Sequence, residues 1–202
     1  MKKAIIFDLY DTLIKIEKKS KPYLYLLNHI HPESAVDAKY IISHIMTTDL
    51  VPIGFARQLL DVGVLTDKFE ETKFLKLLDD EVESTTIISG TYKALASLKG
   101  KYRLFLLSNL ATPYKYPYYK LNLENWIEKA FFSCDENDKK PNASFYQKVI
   151  DYSGLQKEDF IMIGDNPISD VKGAIDFGID AILKNDDLNT IIKPLLLSYN
   201  DA

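Results

Sequence analysis

Lys3-Ala4-Ile5-Ile6-Phe7-Asp8-Leu9-Tyr10-Asp11-Thr12-Leu13 joins an unbroken apolar run to an acidic turn. A short apolar run of this kind reads as a strand covered on both faces. A carboxylate at its carboxyl end lies where open α/β sheets bind ligands. A second unit of the same form follows much later, Phe160-Ile161-Met162-Ile163-Gly164-Asp165-Asn166-Pro167-Ile168-Ser169-Asp170. Two such strands in one sheet bring carboxylates together from opposite ends of the chain. Carboxylates crowded in this way need a cation or a proton between them. The pairing points to a divalent metal and a carboxylate nucleophile.

Between the two units the pattern alternates. Residues 102–107 read as a buried strand ending at Ser108-Asn109, 130–132 as a short strand, and 180–183 as the last one. Helical spacing is expected over 91–99, 118–129, 141–152, 170–177 and 188–199, with Pro141 opening one helix and Gly100 and Gly178 closing two others. Tyr114-Lys115-Tyr116-Pro117-Tyr118-Tyr119 reads as a loop, because Pro113 and Pro117 interrupt it. Alternating strands and helices imply a doubly wound parallel sheet, an α/β fold with right-handed crossovers. Residues 16–86 differ: their apolar residues, such as Phe69, Phe74, Leu77, Leu78 and Val82, fall at helical spacing, and no strand signal of similar quality occurs there. The expected organisation is an α/β core over 1–15 and 87–202, with a helical cap over 16–86.

Bulk properties narrow the function. The chain has 202 residues and a formal net charge of −4, which argues against nucleic acid or an anionic membrane surface as a partner. No apolar stretch is long enough to span a bilayer. A single cysteine, Cys134, cannot form an internal disulfide, so a reducing compartment, the cytoplasm, is expected. Oligomeric state is not legible.

Asp8, Ser108, Lys140, Asp165 and Asp170 follow the buried strands or lie in the polar run between them. A positioned, desolvated carboxylate is a usable nucleophile. Two carboxylates, waters and a substrate oxygen suit the octahedral preference of Mg²⁺. A hydroxyl and an ammonium can hold the remaining oxygens of a transferring phosphoryl group. The sum is a site for metal-assisted phosphoryl transfer.

In order and spacing these segments resemble the haloacid dehalogenase (HAD) superfamily over nearly the whole chain. Asp8-Leu9-Tyr10-Asp11-Thr12 resembles its first motif, Leu106-Leu107-Ser108-Asn109 its second, Lys140-Pro141 its third, and Gly164-Asp165-Asn166-Pro167-Ile168-Ser169-Asp170 its fourth. The helical insert resembles the family's cap. The resemblance implies a Mg²⁺-dependent hydrolase, a phosphatase of a small phosphorylated metabolite. Asp8 would form a covalent aspartyl-phosphate, and Lys140 would steady it. Ser108 would bind a substrate oxygen, with Asn109 and Lys140 beside it. Asp8, the Tyr10 main-chain carbonyl and Asp165 would ligate the metal, Asp170 would hold a metal-bound water or Lys140, and Thr12 would support the turn.

One position departs from that pattern. HAD phosphatases carry a second Asp two residues after the nucleophile, as general acid and base; here it is Tyr10. Tyrosine there, and Tyr146 after Lys140, resemble the metal-independent 2-haloacid dehalogenases. Asp165 and Asp170 do not, and Arg57, the only cap arginine, sits in surroundings unlike the dehalogenase arginine motif. Two alternatives therefore stand beside the phosphatase: a haloacid dehalogenase-like hydrolase, and a HAD-fold binding or regulatory protein with weak turnover. Asp11, adjacent to the vacant acid position, is a candidate substitute.

Overall fold

The computed structural model describes residues 2–200; Met1, Asp201 and Ala202, the outermost residues of the expected core, lie outside it. In chain order the first half comprises β1 (Ala4–Phe7), β2 (Ile14–Ile16), α1 (Pro22–Leu27), α2 (Ala38–Thr47), α3 (Pro52–Asp61), α4 (Glu71–Glu83), β3 (Thr85–Ile87) and α5 (Thr91–Leu98). There follow β4 (Arg103–Ser108), α6 (Tyr116–Lys120), β5 (Lys129–Phe132), α7 (Ser133–Glu136), α8 (Ala143–Ser153), β6 (Phe160–Gly164), α9 (Gly173–Phe177), β7 (Asp180–Leu183) and α10 (Leu188–Asn200).

Five strands form one parallel sheet in the order β5-β4-β1-β6-β7. β1 sits at its centre, with Ile6 level with Phe105 on one side and Met162 on the other. Successive side chains of a strand face opposite ways, and both faces are covered. Ile5 and Phe7 pack with Leu104, Leu106, Ile161 and Ile163 against Leu95 of α5 and Ile192 of α10. Ala4 and Ile6 pack with Phe105, Phe160 and Met162 against Phe145 and Val149 of α8. The apolar runs are thus buried on two faces, as the sequence implies. This places Asp8, Ser108 and Asp165 at one edge of the sheet, just at or past the carboxyl ends of β1, β4 and β6.

The insert is helical in α1 to α4, whose side chains form a separate apolar cluster around Leu26, Ile41, Ile45, Leu59 and Phe74; Ala111, from the loop after β4, joins it. The expectation of no strand there needs correction. β2 and β3 pair antiparallel at the two ends of the insert, Ile16 opposite Thr85. Three-residue strands give too short an alternation to read.

Two other expectations change. Residues 114–119 are not a loop: Pro113 and Pro117 occupy the first turns of a 3₁₀ turn, Thr112–Lys115, and of α6. Proline at a helix start loses no hydrogen bond, so these prolines begin helices rather than interrupt them. The helix expected over 118–129 stops at Lys120, because Asn122 takes a left-handed backbone (φ 50°) and a 3₁₀ turn, Leu123–Asn125, follows. α8 begins at Ala143, two residues beyond Pro141.

Candidate active site

The turn after β1 is held by its own main chain. Asp8 N donates to Ile163 O at 3.0 Å, Asp11 N to Ile14 O at 2.7 Å and Leu13 N to Leu9 O at 2.8 Å. Asp11 takes a left-handed conformation (φ 55°), which Asp tolerates better than most residues. Thr12, expected to support this turn, is fully buried, and its hydroxyl has no hydrogen-bond partner among the described residues. The main-chain bonds support the turn in its place.

Lys140 arrives from the other side of the sheet centre. Asn109 holds its main chain at both ends of one amide: Nδ2 donates to Lys140 O and Lys140 N donates to Oδ1, each at 2.8 Å. Lys140 is 3% exposed, and its ammonium lies between two carboxylates, 2.7 Å from Asp8 Oδ1 and 2.6 Å from Asp170 Oδ1. Asp170 is fixed in turn, since its Oδ2 accepts from Asn166 N at 2.9 Å.

The segment after β6 is shaped around that carboxylate. Asn166, not Asp170, caps the following π-helical turn, Pro167–Lys172, accepting from Ile168 N and Ser169 N. Asp170 sits inside the turn and points back at the sheet. A Cβ on Gly164 would lie 2.3 Å from Asp170 Oδ2, so only glycine leaves room there. The Tyr146 hydroxyl donates to Ser169 O, and a Cβ on Gly173 would meet that hydroxyl at 2.6 Å. Sequence pattern alone does not mark Gly164 as the residue that makes room for Asp170, or Gly173 as the one that makes room for the Tyr146 hydroxyl; a glycine directly before an acidic turn is the one signal that hints at the first.

A cleft of about 220 Å³ opens over these groups, lined by Asp8, Tyr10, Asp11, Asn109, Lys140, Asp165, Asn166, Ser169 and Asp170. Nearly every expected site residue meets there. Ser108 is the exception: it is buried at the end of β4 and does not line the cleft. Asn109 does, but with its amide engaged by Lys140.

Carboxylate oxygens of Asp8, Asp165 and Asp170 all lie within 4.8 Å of one another. One ammonium faces three carboxylates. Burial pushes the Asp8 carboxyl up to about 6; Lys140 opposes the shift, and Asp170 and Asp165 add to it. Burial, then Asp170, also raises Asp165. Burial works against the Lys140 ammonium, yet Asp8 and Asp170 outweigh it and hold its pKa above the usual value. The excess negative charge and the hard oxygen donors fit Mg²⁺. Asp170 has both oxygens engaged, while Asp8 Oδ2 and Asp165 carry no cationic partner among the described residues, so these two are the available direct ligands.

The haloacid dehalogenase-like hydrolase family model matches residues 2–178. The chain belongs to that family. A glyceraldehyde 3-phosphate phosphatase of Methanothermobacter thermautotrophicus is 29% identical over 101 residues, 49% of this chain and 45% of that protein. The chain spans 25% to 66% of the length of the curated relatives it matches. Among solved structures, a HAD-like hydrolase of Porphyromonas gingivalis superposes with a TM-score of 0.72 at 22% identity, covering 97% of this chain and 98% of that one. A HAD family enzyme of Bacteroides thetaiotaomicron, in complex with magnesium and inorganic phosphate, superposes at 0.69 with 16% identity, covering 96% of this chain and all of that one, 100%. Both share the fold of this HAD-like protein. No helix among the described residues is long and apolar enough to cross a membrane.

Proposed function

We propose that this HAD-like hydrolase is a Mg²⁺-dependent phosphatase that acts on a small phosphorylated metabolite through an aspartyl-phosphate on Asp8. One observation carries the reading: Lys140 binds Oδ1 of Asp8 at 2.7 Å, and carboxylate oxygens of Asp8 and Asp165 lie within 4.8 Å of each other. A buried, oriented carboxylate of this kind is a nucleophile. The phosphatase among the relatives, and the magnesium and phosphate held by the Bacteroides enzyme, support it.

Asp8 and Asp165 would hold the ion, with the Tyr10 main-chain carbonyl as a third donor and Asp170 one shell out, clamping Lys140. Bound there, Mg²⁺ supplies charge to the phosphoryl oxygens and offsets the carboxylates. Lys140 keeps Asp8 ionised and turned toward the substrate. Asp8 attacks phosphorus, the leaving group departs, and water then hydrolyses the aspartyl-phosphate. Asn109 positions Lys140, and Ser108, buried at the end of β4 and outside the cleft lining, would reach a substrate oxygen only if its hydroxyl became accessible on binding. We treat 16–86 as a cap on a core of 1–15 and 87–202. The cap would close over a small substrate and exclude water.

The test is phosphate release from a panel of small phosphorylated compounds, with and without Mg²⁺, in the native protein and in Asp8→Asn. Metal-dependent release that Asp8→Asn abolishes is expected. Halide release from 2-haloacids without metal would replace this reading with the dehalogenase. Tight Mg²⁺ binding with no turnover of any compound would leave a binding protein.

A further inference from the structure

The residue two places after Asp8 has its hydroxyl committed elsewhere. Tyr10 Oη donates to the main-chain carbonyl of Tyr114 at 3.0 Å, and the two rings meet edge-on with centroids 5.8 Å apart. The Tyr114 hydroxyl donates to Glu81 Oε2 at 2.6 Å, and Glu81 is buried on α4. Tyr10 is thus a braced wall of the cleft. It gives its proton to a fixed carbonyl, not to a departing group.

The other cleft residues offer no poised acid. Lys140 is spent on Asp8 and Asp170, and Asn109 on the Lys140 main chain. Asp165 belongs to the carboxylate triad, and Asp11 is an exposed residue outside it. The cleft is also small: its volume of about 220 Å³ falls below the roughly 300–1,000 Å³ of most small-molecule sites.

We propose that the substrate is a small acyl phosphate, whose leaving group departs as a carboxylate and needs no proton. The assignment rests on the phosphatase reading above. An Asp8 oxygen attacks phosphorus as the bond from phosphorus to the acyl oxygen breaks, and the electron pair stays on the released carboxylate. Water then attacks the aspartyl phosphorus, regenerating the Asp8 carboxylate and leaving dihydrogen phosphate, which carries both water protons. No acid is required in the first step, and charge balances across both.

The experiment compares acetyl phosphate, glycerol phosphate and p-nitrophenyl phosphate with the full chain and Mg²⁺, using Asp8→Asn for background. General acid catalysis typically contributes about 10²–10⁴-fold, so acetyl phosphate should exceed glycerol phosphate in kcat/KM by about that factor. It should also exceed p-nitrophenyl phosphate, the bulkier ester, because the cleft is small. Acetonylphosphonate, which cannot be hydrolysed, should bind more tightly than phenylphosphonate by calorimetry. Tyr10→Asp should shrink the gap between acyl and alkyl substrates, and Tyr10→Ala, which opens space without an acid, should not. Glycerol phosphate turned over as well as acetyl phosphate, with that turnover lost in Asp11→Asn, overturns the proposal and makes Asp11 the acid, while the Asp8 phosphatase stands. A preference for p-nitrophenyl phosphate overturns the acyl assignment. No release above the Asp8→Asn background from any of the three overturns the phosphatase reading as well.

Discussion

The Asp170 carboxylate occupies the space where a side chain on Gly164 would begin, 2.3 Å from an ideal Cβ. β6 therefore ends in the one residue that lets Asp170 reach back under the sheet edge to Lys140.

Gly164→Ala should be costly for that reason. Its Cβ must displace a carboxylate bonded to both Lys140 and Asn166 N. Overpacking typically costs about 1–3 kcal/mol, and a loss in that range is expected from the urea midpoint. Hydrolysis should fall further than stability explains, because Lys140 loses its second anchor. A variant as stable and active as the native protein would show that Asp170 can be held elsewhere.

Lys140→Met should destabilise the metal-free protein strongly. Among the described residues it strips the only cation from Asp8 and Asp170, whose side chains are almost fully buried. Breaking a buried pair by removing one partner costs roughly 3–5 kcal/mol. Added Mg²⁺ should recover part of it by neutralising the same carboxylates. Thermal melts with and without Mg²⁺ measure both effects, and a melt unchanged by the substitution would mean Lys140 is not the charge that balances the site.

Asp8→Asn should stabilise the metal-free protein at neutral pH. Asp8 titrates near 6 in the fold, against an ordinary value of 3.8 when unfolded. The folded state holds this proton more tightly, so the contribution of Asp8 to stability is greatest below about pH 4 and is lost as pH rises through 6. Each pKa unit corresponds to about 1.4 kcal/mol, so the shift from 3.8 to about 6 gives a gain on the order of 3 kcal/mol for Asn above pH 7. The advantage should vanish near pH 4. With Mg²⁺ present the order should reverse, because native Asp8 then binds the ion. Denaturant melts from pH 4 to 8 check the trend; a less stable metal-free Asp8→Asn at pH 7.5 contradicts it.

Asp165→Ala should abolish most Mg²⁺ binding by titration calorimetry while leaving the Lys140 bridge intact. Asp165 is the one member of the carboxylate triad with no lysine contact among the described residues. Retained affinity would move the ion away from the cleft.

Much of this arrangement is legible in the order of residues alone. The runs Ala4–Phe7 and Phe160–Gly164 are apolar on both faces, and only a strand between two helical layers uses such a run, so the centre of the sheet and its acidic edge follow. The insert's helices announce themselves through period. β2 and β3 do not: three residues each, Ile-Lys-Ile and Thr-Thr-Ile, are stabilised by pairing across a long sequence gap that no local pattern encodes. Pro113 and Pro117 mislead because proline has opposite meanings at a helix start and inside one. The site divides in the same way. Asp8, Lys140 and Asp165 carry their chemistry in their residue type. That Asn109 grips the Lys140 main chain, or that Tyr10 points to Tyr114, depends on side-chain directions fixed only by the assembled fold.

The ladder between Ile14–Ile16 and Thr85–Ile87 has a consequence for how such a protein can change. The chain enters and leaves the helical insert through neighbouring strands, Ile16 facing Thr85. Closing a loop costs free energy that rises only with the logarithm of its length, and here three paired rungs fasten the two ends. What lies between can lengthen, shorten or be exchanged at little expense to the sheet. If the insert is the substrate-selecting cap proposed above, selection can redraw it while the carboxylates and lysine of the sheet edge stay in place.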